Sequence, residues 1–302
     1  MEQVKISLVI ATYNRREQLL MALESATRQT LPFEKWEVVV VDNNSQDGTY
    51  ESVEAFAAAH VGMNLRVVRE TIQGVSAARN RGIAESCGEF IVVTDDDEVL
   101  VEGFLETYYE FYERGGRICG GRILPSFEVE PPVWMSKYTE RAIAGTVDLG
   151  DTERDFGAGK FFGGGNHGYR RDVAEYYGGY DTGLGRNGNV LLAGEEKDLY
   201  KRMVASGESI RYLPGALVYH NVEKERLTRE YFECLCRNLG RSERQRTRSV
   251  SRFAYARRIV LEAVKWGGAL VIGIGYALRG QSSKGVYLLL MRRQITAGLF
   301  GL

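Results

Sequence analysis

The chain has 302 residues and a formal net charge of −1, and 44% of its residues are hydrophobic. This composition is typical of a globular protein with a buried core, and the near-zero charge argues against nucleic acid as a partner of the whole chain. The four cysteines lack the spacing of common zinc sites, and the first residues lack the features of a secretion signal. We therefore expect a cytoplasmic protein with reduced thiols.

The first half of the chain alternates short apolar runs with helical patterns. The predicted strands cover residues 6–11, 36–41, 64–69, 89–94 and 117–123, and the predicted helices cover 17–29, 48–59, a segment that begins at 74, and 102–114. Strands that alternate with helices indicate βαβ units, so we expect an α/β fold with a mainly parallel sheet.

Acidic residues follow two of the predicted strands. Asp42 ends the second strand, and four acids at 95–98 follow the fourth. Ligands of open α/β sheets bind outside the carboxyl ends of strands, so both places are expected to face a ligand. A cation would relieve the repulsion within the acidic run, and oxygen ligands suit Mg²⁺ or Mn²⁺ held together with a diphosphate. The alternative is a solvated acidic turn before the next helix.

The periodic pattern loosens between residues 125 and 160, where three prolines occur. A loop of this length is typically functional. Its Trp134 has an aromatic face of the kind that stacks on sugars, although the same side chain could anchor the loop to the core. Residues 163–165 are three consecutive glycines, which allow close approach of the backbone to a ligand.

A helix and two short strands are predicted further along the chain. The helix opens at residues 194–199 with acids in its first turn, where the helix dipole favours them whatever their role. The strands cover 210–213 and 216–220, and the second ends at His220.

The C-terminal region is basic and then apolar. Eight arginines lie between residues 237 and 258, opposed by little beyond Glu243, and apolar segments follow at 266–278 and 285–291. Arginines beside apolar helices that contain Trp and Tyr suit an anionic membrane surface. We expect residues 241–302 to make peripheral contact with the inner face of the cell membrane. The alternative is a helical subdomain used for packing or for forming a homo-oligomer.

Short motifs punctuate the chain in a fixed order. They are Ile-Ala-Thr-Tyr-Asn-Arg at 10–15, Val-Val-Val-Asp-Asn-Asn-Ser-Gln-Asp-Gly-Thr at 39–49, Gly74-x-x-x-Ala78-Arg79-Asn80-x-Gly82, Thr-Asp-Asp-Asp at 94–97, Gly-Gly-Gly-Asn at 163–166 and Gly-Glu-Glu-Lys-Asp-Leu at 194–199. Together they resemble the family 2 glycosyltransferases, in particular bacterial enzymes of surface-polysaccharide synthesis, over roughly residues 4–240.

The resemblance implies the GT-A fold, a Rossmann-like sheet sandwiched by helices. Residues 1–227 would form the glycosyltransferase domain, with the nucleotide-sugar half at 1–123 and the acceptor half at 124–227. Residues 228–302 would form a basic and amphipathic helical extension. The implied activity is inverting transfer of a sugar from a nucleotide donor, with UDP as the expected nucleotide.

The resemblance also implies the donor-binding residues. Thr12, Tyr13 and Asn14 would form the wall of the nucleotide site, Asp42 would hydrogen-bond the base, and Arg79 would lie near the diphosphate.

The implied metal site is the D-x-D pair of Asp95 and Asp97, with Asp97 as the more direct ligand and Asp96 in the variable middle position on the donor side. His220 resembles an additional metal ligand found in parts of the superfamily, and an imidazole would favour Mn²⁺ over Mg²⁺. The alternative for His220 is a structural histidine.

The catalytic base is implied by the helix at 194–199. The family usually has Glu-Asp there, with the aspartate as base, whereas this chain has Glu195-Glu196. Glu196 therefore occupies the position of the base, and Glu195 and Asp198 are the other candidates.

The acceptor is expected to be a saccharide or a lipid-linked saccharide. Its pocket is expected to include Trp134, Gly164, Gly165, Asn166 and His167. Two alternatives to a glycosyltransferase are a sugar nucleotidyltransferase and a non-catalytic nucleotide- or glycan-binding relative. The chain lacks a glycine-rich, lysine-bearing loop near its N-terminus, which argues against the first, while the replacement of Glu-Asp by Glu-Glu would fit the second.

Overall fold

A computed structural model describes residues 4–157, 159–187 and 193–302. The strands are β1 (Ile6–Thr12), β2 (Trp36–Asp42), β3 (Leu65–Arg69), β4 (Phe90–Asp95), β5 (Glu98–Leu100), β6 (Ile118–Phe127), β7 (Arg154–Asp155), β8 (Asn166–Arg170) and β9 (Arg211–Val222). The helices are α1 (Arg16–Ala26), α2 (Thr49–Ala59), α3 (Val75–Glu85), α4 (Phe104–Glu113), α5 (Lys137–Ala144), α6 (Arg171–Tyr177), α7 (Glu195–Ala205), α8 (Arg229–Val250), α9 (Arg252–Leu278) and α10 (Ser282–Phe300).

The strands form one mixed sheet in the order β3-β2-β1-β4-β8-β6-β9-β5, with β7 paired to β9. The half from β3 to β4 is parallel, as predicted, because a helix returns the chain to the same edge between successive strands. The other half contains antiparallel pairs, among them β4 with β8 and β5 with β9.

The core follows from the composition of the central strands. Every residue of β2 is buried, including the run of valines at 38–41, and β1 and β4 are buried along almost their whole length. A strand that is covered on both faces is apolar throughout instead of alternating with polar residues. This is why the parallel half of the sheet could be predicted from short apolar runs.

Two boundaries differ from the prediction. Helix α1 ends at Ala26, three residues earlier than expected. The two strands predicted at 210–213 and 216–220 are one strand, β9, which the Pro214-Gly215 step divides in the sequence. Strand β9 pairs with β7 before this step and with β5 after it.

The chain divides into two compact units. The first holds residues 1–124, 147–183 and 195–221, and the second holds 125–146, 184–194 and 222–302. The second unit thus includes the helical extension expected from 228 and also residues 125–146, 184–194 and 222–227, which the sequence places in the acceptor half. Helices α8, α9 and α10 pack against one another within it.

Helix α9 is longer than the apolar segment seen in the sequence, because it begins at Arg252. Among the residues that the structure describes, it is the one helix long and apolar enough to cross a membrane, judged by length and composition. Only 11% of its most apolar window is buried inside the protein.

Candidate active site

Three neighbouring strands of the first unit end at one edge of the sheet. Thr12 pairs with Asp42 in the β1–β2 register, and Ala11 pairs with Asp95 in the β1–β4 register. The residues after these strands therefore meet outside the carboxyl ends, where ligands of such sheets bind.

The acidic run after β4 is largely buried. The Asp96 and Asp97 side chains are 7% and 5% exposed, and the hydroxyl of Thr12 donates to Asp96 over 2.8 Å. A solvated acidic turn is therefore not what the structure shows. The guanidinium of Arg15 donates to Asp96 over 2.9 Å and to Asp97 over 2.8 Å. Arg15 was not among the expected site residues, although it directly follows the Thr-Tyr-Asn segment after β1.

His220 reaches the acidic run through the pairing of β5 with β9. The register places His220 opposite Glu98, and its Nε2 lies 3.2 Å from Oδ2 of Asp97. Among the described residues, no three His, Cys, Asp or Glu side chains form a ready-made metal cluster.

The electrostatics of the acidic run reflect an excess of negative charge. Burial, followed by the charge of Asp97, raises the pKa of Asp96 to about 6, although Arg15 opposes the shift. Burial and the charge of Asp95 raise the pKa of Glu98 to about 8. The run therefore lies where a further positive charge would be stabilised.

Arg79 of α3 joins the acidic run to α7. Its side chain is 3% exposed, one terminal nitrogen donates to Asp95 over 2.6 Å, and the other donates to Glu195 over 2.7 Å. Arg79 therefore lies at the sheet edge near Asp95, as expected for a group beside a diphosphate.

The three acids in the first turn of α7 have different environments. Glu195 is buried and paired with Arg79, and Asp198 accepts a hydrogen bond from Arg202 over 2.9 Å. Glu196 is half-buried and has no ion-pair partner among the described residues. Burial and the charge of Glu195 raise the pKa of Glu196 to about 8.

The loops after β1 and β2 are tied together beside this edge. Asn14 adopts a left-handed conformation (φ 52°). Its backbone N–H donates to the hydroxyl of Ser45, and its side-chain oxygen accepts from the backbone N–H of Gln46. The Asn14 side chain is exposed and Tyr13 is half-buried, whereas Asp42 is buried and accepts from the amide of Ser45 over 3.2 Å.

Two residues expected in the acceptor pocket lie inside the sheet instead. Asn166 and His167 are fully buried. Asn166 is hydrogen-bonded to Tyr108 and to two backbone carbonyls, and His167 to Gly163 and Tyr180. Burial lowers the pKa of His167 to about 3, so it is neutral. Neither side chain can contact an acceptor in this arrangement, which corrects the expectation.

The glycines before them make room for charged side chains. A Cβ at Gly165 would lie 2.3 Å from Glu98, and one at Gly164 would lie 3.3 Å from Arg79. Glycine is needed at these two positions because other groups come close to the backbone. These groups are the side chains of Glu98 and Arg79 and not a ligand.

Trp134 belongs to the core of the second unit. It is 9% exposed, it stacks on Tyr287 at 4.1 Å between ring centroids, and it also contacts Phe232. Its ring is not presented to a ligand, so the structure supports the anchoring alternative and corrects the expectation of a sugar-stacking face.

Replacing Trp134 by Ala should therefore act on stability. We expect a loss of about 3–5 kcal/mol in the free energy of unfolding, as for other buried aromatic side chains. Urea denaturation measures this, with Trp134→Phe as a milder control. Unchanged stability combined with a large rise in the KM for an acceptor would show that the ring is a binding surface after all.

Comparison with known proteins gives consistent results. The sequence profile described as "Glycosyl transferase family 2" matches residues 7–178, which is more than half of the chain. Among curated proteins, the glycosyltransferase AglE of Haloferax volcanii is 40% identical over 92 residues, which are 30% of this chain and 30% of that protein. The glucosyl-dolichyl phosphate glucuronosyltransferase of the same organism is 28% identical over 232 residues, 72% of this chain and 70% of that protein.

A similar structure is the mannosyltransferase PcManGT of Pyrobaculum calidifontis, solved in complex with GDP-Man and Mn²⁺. Its TM-score is 0.63 at 17% sequence identity, and the match covers 98% of this chain and 88% of that one. At this identity, the likeness shows the fold, which is GT-A. With the profile match over more than half of its length, the chain belongs to glycosyl transferase family 2.

Proposed function

We propose that the protein is a metal-dependent, inverting glycosyltransferase that moves a sugar from a nucleoside diphosphate donor, expected to be a UDP-sugar, to a saccharide or lipid-linked acceptor. One observation carries the proposal. Arg79 brings the carboxylate of Asp95 and the first turn of α7, with Glu196, to the same edge of the sheet. A donor-binding group and a base thus lie on either side of one arginine.

The donor would bind along the loops after β1, β2 and β4. We assign the nucleotide to Thr12, Tyr13, Asn14 and Asp42, and the diphosphate to the region of Arg79 and the acidic run. Arg79 would place a positive charge near the leaving diphosphate, where negative charge grows as the bond between the sugar and the diphosphate breaks.

Asp97 and His220 would hold a divalent cation once Arg15, which donates to Oδ2 of Asp97 over 2.8 Å, is displaced from that oxygen. Oδ2 of Asp97 and Nε2 of His220 are 3.2 Å apart, and neighbouring ligands of an octahedral ion at about 2.1 Å are about 3 Å apart. Asp95 and the phosphates could complete the shell, since Mg²⁺ is usually held by one or two carboxylates plus substrate phosphates. The imidazole favours Mn²⁺. When bound, the cation would neutralise charge on the diphosphate.

Glu196 is the proposed base. The acceptor hydroxyl has a pKa far above neutrality, so a carboxylate must take its proton as the oxygen attacks. Glu195 is held by Arg79 and Asp198 by Arg202, which leaves Glu196 as the acid of the first turn without an ion pair among the described residues. Attack from the face opposite the diphosphate inverts the anomeric carbon.

Donor turnover tests this proposal. The protein would be incubated with Mn²⁺ and UDP-, GDP-, CDP- or dTDP-sugars, first alone and then with saccharide or polyprenyl-phosphate-linked acceptors, and nucleoside diphosphate release would be followed. Proton NMR of the product should show an anomeric configuration opposite to that of the donor. Retention of configuration would contradict the assignment of Glu196 as the base.

The pH dependence of transfer should report the pKa of Glu196. Only its carboxylate form can accept a proton, and its pKa of about 8 lies well above the usual value of about 4.3. We expect kcat/KM to rise about tenfold per pH unit up to a midpoint near pH 8. A profile that is flat from pH 5 to 8 would show that Glu196 does not control the rate.

We also propose that the second unit attaches the protein to the inner face of the cell membrane. This would suit a lipid-linked acceptor such as the glucosyl-dolichyl phosphate named for the Haloferax glucuronosyltransferase. Helix α9 supports this attachment because it has charged side chains on its buried face and apolar side chains on its exposed face. Its buried residues include Arg258 and Glu262, whereas Val264, Val271 and Leu278 are 67–84% exposed.

The buried charges of α9 are satisfied within the unit. Arg258 donates to Glu243 over 3.0 Å and to Glu262 over 2.9 Å, and Arg292 of α10 also donates to Glu262. An apolar outer face with paired charges inside suits lipid better than water. Exposed arginines flank the apolar face at Arg257 and Arg279, as expected for contact with anionic headgroups.

The double replacement Val271→Asp and Ile274→Asp should weaken binding to vesicles that contain anionic lipid. Each valine or isoleucine contributes about 1.5 kcal/mol when buried, so the pair should cost about 100-fold in affinity. Co-sedimentation measures this, and Val61→Asp provides a matched control because Val61 is 89% exposed in the first unit. Equal binding by both variants, or a change only in oligomeric state, would contradict membrane attachment by this face.

A further inference from the structure

We propose that Arg79 is a positioning residue that links the donor carboxylate Asp95 to Glu195, so that donor binding sets the position of the first turn of α7 and of its base. The inference rests on the proposed function, because it takes Asp95 as a donor-binding group and Glu196 as the base. It adds that α7, which carries the proposed base, responds through Arg79 to donor binding at Asp95.

The link is short, and its Arg79 and Glu195 side chains are shielded from solvent, whereas Asp95 at the donor end is 36% exposed. Arg79 is 3% exposed and bonds Asp95 and Glu195 through different terminal nitrogens, over 2.6 and 2.7 Å. The ion pair of Arg79 with Glu195 is therefore little screened by water or salt, and a change at Asp95 reaches Glu195 through the guanidinium that both carboxylates share.

The pairing leaves buried atoms unused. Nε of Arg79 and Oε2 of Glu195 are buried, and neither has a hydrogen-bond partner among the described residues. A buried polar group without a partner is destabilising. A guanidinium can instead present two N–H groups side by side to both oxygens of one carboxylate, which is the stronger arrangement.

Donor binding offers a way to reach that arrangement. Once Asp95 engages the donor, it releases one nitrogen of Arg79, and the guanidinium can turn to bond both oxygens of Glu195. Gly164 leaves room for this turn, since a Cβ there would lie 3.3 Å from a terminal nitrogen of Arg79. Because Glu195 and Glu196 are consecutive residues of α7, the new pairing fixes the backbone that carries the base.

Calorimetry with UDP and with GDP, each in the presence of Mn²⁺, tests the link without requiring turnover. Glu195→Gln should weaken nucleotide binding about 5-fold or more, which corresponds to the lower range of coupling energies between sites. Glu195→Asp, which keeps the charge, should restore most of the affinity. Glu208→Gln is the matched control, because Glu208 pairs with Arg117, an arginine that also joins two carboxylates but lies at the surface.

Hydrogen exchange supplies a second readout. Nucleotide with Mn²⁺ should slow exchange of the amides of α7 in the wild-type protein and in Glu208→Gln, but not in Glu195→Gln. The urea midpoint of each variant shows whether it is folded. If Glu195→Gln is not folded, Arg79→Lys replaces it, because lysine keeps the positive charge but lacks the two terminal nitrogens that bond Asp95 and Glu195, and it should show the same loss of protection in α7.

The pH profile of activity distinguishes a positioning role of Arg79 and Glu195 from a general loss of folding. The charges that act on Glu196 are those of Glu195, Arg79 and Lys197, and Glu195 raises its pKa. Glu195→Gln should therefore move the midpoint of activity to lower pH, whereas a loosened fold would lower the rate without moving it.

Two outcomes would overturn the inference. If Glu195→Gln binds nucleotide and protects α7 as the wild type does, Arg79 does not link the two sides, although the proposed function stands. If the wild-type protein binds no nucleotide with Mn²⁺, the proposed function fails and the link fails with it.

Discussion

Replacing Glu196 by Gln is expected to lower kcat by about 10²–10⁴-fold, the usual contribution of a positioned general base. Glutamine keeps the size and hydrogen-bonding shape of the side chain but cannot accept a proton. The affinity for nucleotide should stay close to that of the wild type, because Glu196 forms no hydrogen bond or ion pair with Arg79 or the acidic run among the residues that the structure describes. Initial rates of nucleoside diphosphate release at saturating donor and acceptor measure the effect.

Glu196→Asp is the comparison variant, because it shortens the side chain but keeps the carboxylate. The resemblance to the family places an aspartate at this position, so the shorter carboxylate should retain more activity than the glutamine variant. Full activity in Glu196→Gln would remove Glu196 from the mechanism. It would then favour Glu195 or Asp198, despite their ion pairs with Arg79 and Arg202.

Replacing Asp97 by Asn is expected to lower kcat/KM by about 10²–10³-fold. A cation that neutralises the leaving diphosphate contributes several kcal/mol, and each tenfold change in rate corresponds to about 1.4 kcal/mol. The amide removes the charge from the oxygen that faces Nε2 of His220. The Mn²⁺ concentration needed for half-maximal rate should rise as well, and a titration of Mn²⁺ against turnover shows both changes.

Asp151→Asn is a suitable control, because Asp151 is a highly exposed aspartate of the first unit that pairs with Arg122. It should leave the Mn²⁺ dependence unchanged. Asp97→Asn with the wild-type response to Mn²⁺ would mean that the cation binds elsewhere or is not required.

The sequence predicts the parallel half of the sheet well, and it also predicts which residues stand at the carboxyl ends of its strands, because both depend on short local patterns. The central strands are covered on both faces, so they are apolar runs, and each is followed by polar residues where it ends. Asp42 and Asp95 could be placed at the edge because parallel strands share one carboxyl edge.

The parts that sequence reasoning missed depend on contacts between distant segments. Arg15 reaches Asp96 and Asp97, more than 80 residues away in sequence, and local patterns do not show where a long side chain points. The 163–165 glycines do signal close approach, but they do not say that the approaching groups are Glu98 and Arg79.

Burial decided the corrected acceptor assignments, which are those of Asn166, His167 and Trp134. Asn166 lies in the strand between β4 and β6, and its side chain satisfies backbone carbonyls on neighbouring segments. Trp134 lies in a loop with little periodicity, so only the tertiary structure shows that Tyr287 covers it. An aromatic side chain in an irregular loop gives the same sequence signal whether it binds a sugar or fills a core.

Calorimetry of the wild-type protein with UDP, GDP, CDP and dTDP, each with and without Mn²⁺, tests most directly whether the edge at β1, β2 and β4 is a nucleotide-diphosphate site. We predict that one nucleotide, expected to be UDP, binds markedly more tightly when Mn²⁺ is present. If none of the four shows binding that depends on the metal, the acidic run is not a diphosphate site, and the proposed transfer reaction is wrong.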